Sequence, residues 1–320
     1  MAVYTEVSDD ELTRFIAGYP LGRLLSYKGI AEGVENTNYL VHTTSGTFIL
    51  TIYEKRVDPA DLPFFLGLME HLSARGVNCP LPVRDTSGNV LNELAGRHAA
   101  LITFLEGVWP KRPKVEHCLE LGTALARMHI AGESFALKRA NALGLGGWQP
   151  LFDKFSSRTE EICAGLRDLI TSELQFLELS WPKALPTGVI HADLFPDNVF
   201  FVDDKLSGII DFYFACNDAL AYDIAVCLNA WCFDAKSEFD PKRGGALIEG
   251  YSSVRPLSAA EREALPILAR GAAMRFLLTR SYDWLNTPKD ALVARKDPAD
   301  YVRRLKFHQS VGAIADYASW

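Results

Sequence analysis

The chain has no apolar run long enough to span a bilayer and no surplus of basic residues. Its 320 residues carry a formal charge of −7, so it has no excess cations to neutralise phosphates along a nucleic acid or an anionic membrane. A local phosphate pocket remains compatible with that balance. The six cysteines, Cys79, Cys118, Cys163, Cys216, Cys227 and Cys232, include no C-x-x-C pair. Cys227 and Cys232 are the nearest two, and they sit in an apolar segment without a second pair of ligands. Buried free thiols are therefore expected rather than zinc or a disulfide framework. Glu6, Asp9, Asp10 and Glu11 stand where a secretory signal would carry positive charge before an apolar core, so a cytoplasmic location is expected. Internal repeats, low-complexity tracts, a Walker A sequence and a Rossmann fingerprint are also missing.

With 48% hydrophobic residues, the chain can bury a substantial core as one two-lobed unit or two modest domains. Ser8-Asp9-Asp10-Glu11 has the form of a capping box and opens a short helix ending at Gly18. Strand-like runs follow at Leu24–Ile30, Thr37–His42 and Thr47–Tyr53, the last two joined by the turn Thr43-Thr44-Ser45-Gly46. Asp58-Pro59 begins a helix with an apolar stripe of Leu62, Phe65, Leu66, Met69 and Leu72, and further strands are expected near Val90–Leu94 and His98–Phe104. After Glu106-Gly107 the pattern turns helical, at Val115–Ala131, Thr159–Leu179, Asp218 onward, Ala259–Trp284 and Asp300–Tyr317, with Pro266 expected to break or kink its helix.

One segment narrows the chemistry. His191-Ala192-Asp193-Leu194-Phe195-Pro196-Asp197-Asn198 is followed by the strand-like Val199–Val202, a turn at Asp203-Asp204-Lys205 and an apolar return from Leu206 to Phe212. Such a hairpin brings Asn198, at the start of one strand, beside Asp211, at the end of the other, with Asp193 on the preceding loop. A kinase-type site needs a carboxylate to orient a hydroxyl, here Asp193, and two oxygen ligands for magnesium, here Asn198 and Asp211.

At these residues the chain resembles the aminoglycoside-phosphotransferase and choline-kinase superfamily, distant relatives of protein kinases. Phe212–Asp218, Tyr222-Asp223-Ile224-Ala225 and Asn229-Ala230-Trp231-Cys232 look like the bacterial homoserine kinases of that superfamily. The resemblance implies an α+β, two-lobed protein-kinase-like fold with an antiparallel-sheet nucleotide-binding lobe over residues 1–105 and a mostly helical catalytic lobe over 106–320. It implies ATP and Mg2+, and transfer of phosphate to the side-chain hydroxyl of L-homoserine in threonine biosynthesis. Another small hydroxylated acceptor, such as choline, ethanolamine or an aminoglycoside, is the alternative, as is a non-catalytic nucleotide-binding protein of the same fold. Neither a nucleic-acid nor a membrane partner is implied.

The resemblance also distributes roles. Connector backbone groups at Thr103 and Leu105 would meet the adenine edge. Gly33, Asn36 and Asn38, on the link between the first two strands, would approach the phosphates, although glycine and asparagine mark any hairpin connection. His191 would support the catalytic loop. Asp223 would brace it, or else cap the following helix. Asp218, Tyr213 and Asn217 are candidates for contact with the acceptor, and Arg275 or Arg280 for its carboxylate. The chain departs from the wider superfamily at Thr51, which occupies the third-strand slot where kinases place a Lys or Arg. Thr51 would then contribute a hydroxyl hydrogen bond, with Lys28, Lys55 and Arg56 as nearby cations.

Overall fold

The computed structural model describes residues 5–30, 36–54, 57–287 and 295–318. The chain divides into two compact units. The first comprises the residues up to Glu106 together with Gly208–Tyr213, and the second Gly107–Ser207 and the residues from Phe214 on.

In the first unit, helix α1 (Asp9–Ala17) begins at a complete capping box: Ser8 and Glu11 satisfy each other's backbone N–H. Strands β1 (Leu24–Ile30), β2 (Thr37–Thr43), β3 (Gly46–Ile52), β4 (Asn92–Leu94) and β5 (Arg97–Thr103) form one antiparallel sheet in the order β1-β2-β3-β5-β4. Alternate β2 residues, Tyr39 and Val41 among them, are buried with Leu12, Ile16, Leu50, Ile52 and Leu101. That period of two fixes which face of the sheet meets the core. Helix α2 (Leu62–Ser73) buries Phe65, Leu68, Met69 and Leu72.

The second unit contains α3 (Val115–Gly132), α4 (Leu145–Asp153), α5 (Leu166–Ser180), β6 (Thr187–Ile190), β7 (Val199–Val202), β8 (Lys205–Ile209), β9 (Cys216–Ala219), α6 (Leu220–Trp231), α7 (Pro241–Val254), α8 (Ala259–Asn286) and α9 (Ala299–Ser310), except that the end of β8 clusters with the first unit. Helices α3 and α7 approach closely because each presents a glycine to the other. A Cβ on Gly122 would overlap the Leu247 carbonyl oxygen, and one on Gly250 the Leu119 carbonyl oxygen. No helix among the described residues is long and apolar enough to cross a membrane.

Three expectations are corrected. The helical run expected over Thr159–Leu179 is divided: a 3₁₀ turn covers Ser156–Glu161, and α5 starts only after Gly165, whose φ of 74° interrupts the helix. Residues 216–219 are a strand paired with β6, not the start of a helix. Pro266 does not break α8, which runs 28 residues through it. Leu265, Leu268, Ala269 and Ala272 around it are fully buried, and that packing outweighs a proline cost of about 3 kcal/mol.

Candidate active site

The catalytic-loop segment leaves β6 at Ile190 and is held from several helices of the second unit. Buried Asp223, on α6, accepts the backbone N–H of His191 (2.7 Å) and of Ala192 (2.8 Å), and the Nε2 of His129 from α3 lies 3.1 Å away. Ala192 sits at φ 63°, a left-handed conformation costing a non-glycine residue about 1 kcal/mol or more. Its N–H is fixed by Asp223 and its carbonyl accepts from the buried Arg275 guanidinium of α8. The strained residue is therefore pinned on both sides. Further along, Trp231 Nε1 donates to the Leu194 carbonyl at 2.8 Å. His191 Nδ1 accepts the Asp193 N–H at 3.3 Å, so this imidazole is engaged in shaping the loop.

Asp193 and Asn198 come together. The Asn198 amide nitrogen donates to the Asp193 carbonyl oxygen at 2.8 Å and lies 3.5 Å from its carboxylate. Burial pushes the Asp193 carboxyl up to about 6, against the opposing pull of Arg275, 3.9 Å away, and of Lys296, while the charges of Asp197 and Asp223 add to the rise. Asp223 goes the other way. Burial alone would raise it, but the hydrogen bond from His129, with the backbone N–H of His191, holds it below the ordinary carboxylate range.

The hairpin follows at once. Asp203 and Asp204 at its tip have φ of 49° and 58°, the left-handed pair that matches the twist of flanking strands. Asp204 is tied to α3 by Lys114 Nζ and His117 Nε2, each at 2.8 Å. Strand β8 ends at Ile209 rather than continuing to residue 212, so Asp211 lies two residues beyond it, exposed and at φ 65°. The segment Gly208–Tyr213 joins the first unit, where Ile209 N–H donates to Asn78 and Gly208 packs against Leu105. The charge of Asp211 there raises both Tyr53 and Tyr213, whose dominant influence is burial.

The first unit's polar candidates find their hydrogen bonds within that unit. Thr51, 1% exposed, lies opposite Asn38 in the β2–β3 register and donates to its side-chain oxygen at 2.8 Å. Asn36 accepts the Glu54 N–H at 3.2 Å. Thr103 uses its N–H on the Leu81 carbonyl and its hydroxyl oxygen on the Leu81 N–H, both at 2.9 Å, whereas the Leu105 N–H makes no hydrogen bond among the described residues. Gly33, Lys55 and Arg56 lie outside the described residues.

Each acceptor candidate has partners within the protein. Tyr213 stacks edge-on against Tyr53 and Phe65, with its hydroxyl 3.2 Å from that of Tyr53. Asn217, on β9, exchanges bonds with the Arg139 backbone, and Asp218 binds the Asn141 amide (2.7 Å) and the Ala219 N–H. Arg275 is occupied by the catalytic loop, and Arg280 pairs with Asp300 at 3.7 Å over the Tyr301 ring. Sequence reasoning missed His129, which lies 94 residues before its partner Asp223. It also missed Trp231 as a donor to the loop. No local signal marks either role.

Comparison with known proteins adds an independent finding. The profile of the phosphotransferase enzyme family matches residues 26–257. Homoserine kinase of Rhizobium etli is 59% identical over 317 residues, covering 99% of both chains. That of Bradyrhizobium diazoefficiens is 62% identical over 318 residues, covering 99% of this chain and 97% of the relative. Among solved structures, an amicoumacin kinase in complex with AMP-PNP and Ca2+ superposes with a TM-score of 0.71 at 17% identity, covering 96% of this chain and 95% of that one. A spectinomycin phosphotransferase in complex with ADP and spectinomycin gives 0.69 at 12% identity over 98% of each. These distant structures establish the kinase-like fold alone.

Proposed function

The chain belongs to the phosphotransferase enzyme family and groups there with the homoserine kinases, and on that premise we propose how its residues divide the transfer of the γ-phosphoryl group of ATP to the side-chain hydroxyl of L-homoserine. The product is O-phospho-L-homoserine, an intermediate on the way to threonine. The acceptor oxygen forms a bond to the γ-phosphorus while the bond to the β-phosphate oxygen breaks, ADP leaves, and the hydroxyl proton passes to Asp193.

The observation that carries this reading is the held pair of Asp193 and Asn198. A carboxylate raised to about 6 is a stronger proton acceptor than an exposed aspartate and is still ionised at neutral pH. Arg275 stabilises that ionised form and fixes the loop carbonyl beside it. The donor set also fits a hard divalent cation. Asn198 spends its amide nitrogen on Asp193, leaving its oxygen as the metal-binding atom, and Asp211 offers an exposed carboxylate. Magnesium, when bound, would offset the negative charge of the ATP phosphates. The Leu105 N–H is the connector donor for adenine; Asn36 and Asn38, with Gly33, bear on the phosphates. Thr51 acts through Asn38.

A coupled ADP-release assay tests the reading. Turnover is expected with L-homoserine and not with choline or an aminoglycoside. Asp193→Asn is expected to lower kcat by about two orders of magnitude or more while ATP binding is retained. Normal turnover by that variant would remove Asp193 from its role.

A further inference from the structure

The buried Asp223 that braces the catalytic loop is itself the end of a longer chain of polar groups. His129 Nε2 lies 3.1 Å from the Asp223 carboxylate, and its other nitrogen, Nδ1, lies 2.8 Å from the hydroxyl of Tyr251 on α7. Arg255, just past α7, donates to that same hydroxyl oxygen at 3.2 Å and to Glu261 at 2.8 Å. Glu261, 1% exposed, uses its second oxygen to cap α8 through Ser258. The five groups come from α3, α6, α7 and α8, and the glycine-mediated approach of α3 to α7 is what brings Tyr251 against His129.

The direction of each proton follows from the chemistry of the members. An arginine only donates, so the Tyr251 oxygen accepts from Arg255 and its own proton is left for His129 Nδ1. Burial holds the Tyr251 hydroxyl well above its ordinary range, keeping that proton in place. His129 Nδ1 is then an acceptor and Nε2 carries the hydrogen, directed at Asp223. Asp223 thus receives three donors, two of them the backbone N–H groups of His191 and of the strained Ala192.

We propose that Arg255, Tyr251 and His129 are positioning residues for phosphoryl transfer: a relay running from the start of α8 to Asp223 fixes the His129 tautomer and so keeps Ala192 in the left-handed conformation that aims Asp193. The relay complements Arg275, which reaches the same loop from the middle of α8, so Ala192 is held by its N–H through α6 and by its carbonyl directly from α8. The part concerning turnover rests on the assignment of Asp193 above; the tautomer does not.

The first test is therefore made on the unaltered protein, by nitrogen-15 spectroscopy of its imidazoles at neutral pH. His129 is expected with hydrogen on Nε2 and none on Nδ1; a proton on Nδ1 overturns the relay whatever the enzyme's activity. The second test compares Tyr251→Phe, Arg255→Met and the double variant. Outer-layer partners of this kind cost roughly 10–100-fold on removal, so each single variant is expected to lose about tenfold in kcat with unchanged KM for ATP and acceptor. The double variant should lose no more than the worse single one, because one chain is being cut twice. Unchanged kcat, or losses that multiply, overturns the proposal. His129→Gln, which can still donate to Asp223, should recover most of the kcat that His129→Leu loses; equal losses count against it.

Discussion

Around Asp193, the supports come from helices α6 and α8 of the second unit, far along the chain from the loop they hold, whereas the polar groups of the first unit at Asn36, Asn38 and Thr51 find partners on their own sheet or its immediate margins. The loop is held by charged groups buried to completeness, Asp223 and Arg275 among them. The sheet relies on neutral amides and a hydroxyl. Charged, fully buried partners are costly to lose because the remaining partner stays desolvated, while a neutral hydrogen bond contributes only about 1 kcal/mol. On the proposed assignment, the reaction would be specified by a rigid, over-determined loop, and nucleotide contact would be spread over replaceable groups.

The largest effect is therefore expected from Asp223→Ala. It strands two backbone donors and His129 in a dry interior, and breaking a buried charged network of this kind costs about 3–5 kcal/mol. Urea unfolding should show that loss, and ADP release should fall at least as far as in the relay variants. If turnover stays within a factor of two, the loop does not depend on its brace and the contrast between the units collapses.

Asp193 itself should behave oppositely in stability. Its folded carboxyl is raised from the ordinary 3.8 to about 6, so folding favours the protonated form. Ionising it costs stability as pH rises from about 4 to about 6, and above that the full cost, about 3 kcal/mol, is present. Asp193→Asn should consequently unfold at higher urea than the parent at pH 7, with the gain vanishing near pH 4. In the parent, kcat should fall as pH drops through about 6, as the proton acceptor is lost. A less stable Asn variant at pH 7 would mean that Asp193 is not held at a cost for function.

A smaller effect belongs to the helix crossing that assembles the relay. Gly250→Ala puts a methyl group against the Leu119 carbonyl, and overpacking of this sort costs about 1–3 kcal/mol. Because α7 must shift, kcat should fall along with the melting temperature. A melting loss with intact kcat would separate the crossing from the catalytic loop.

These contrasts also explain what could be read from the chain. The β2–β3 hairpin was legible because its alternation and its Thr43–Gly46 turn are local, and so was the segment from His191 to Asn198, whose groups lie within eight residues. Strand β9 was not, since four residues that pair with β6 across 25 or more intervening positions leave no periodic trace. The helix boundary at Gly165 was available as a glycine signal, but the apolar pattern on either side hid it. Asp223 was visible as a loop brace or a cap; that it takes a third donor from His129 depends on packing between α3 and α6, which no spacing reveals. Tyr213 and Asp218 were chosen for chemistry suited to an acceptor, and their bonds to Tyr53 and Asn141 arise from packing that no local pattern shows.

The weakest effect is expected where the chain departs furthest from the kinase pattern. Thr51→Val keeps the shape of the side chain and removes a hydroxyl that donates to Asn38, whose partly exposed amide can turn to water, and that also bonds Tyr213, so the stability cost should be about 1–2 kcal/mol. If Thr51 acts only by orienting Asn38, KM for ATP should rise less than about tenfold, the equivalent of one ordinary hydrogen bond, with kcat unchanged. A direct phosphate contact predicts something else, because an interaction strengthened in the transition state lowers kcat and kcat/KM together. A loss of kcat near that of Asp193→Asn would place the missing lysine's duty on the threonine itself. The nucleotide side would then be as sharply specified as the loop, and the contrast between the two units would be one of charge rather than of rigidity.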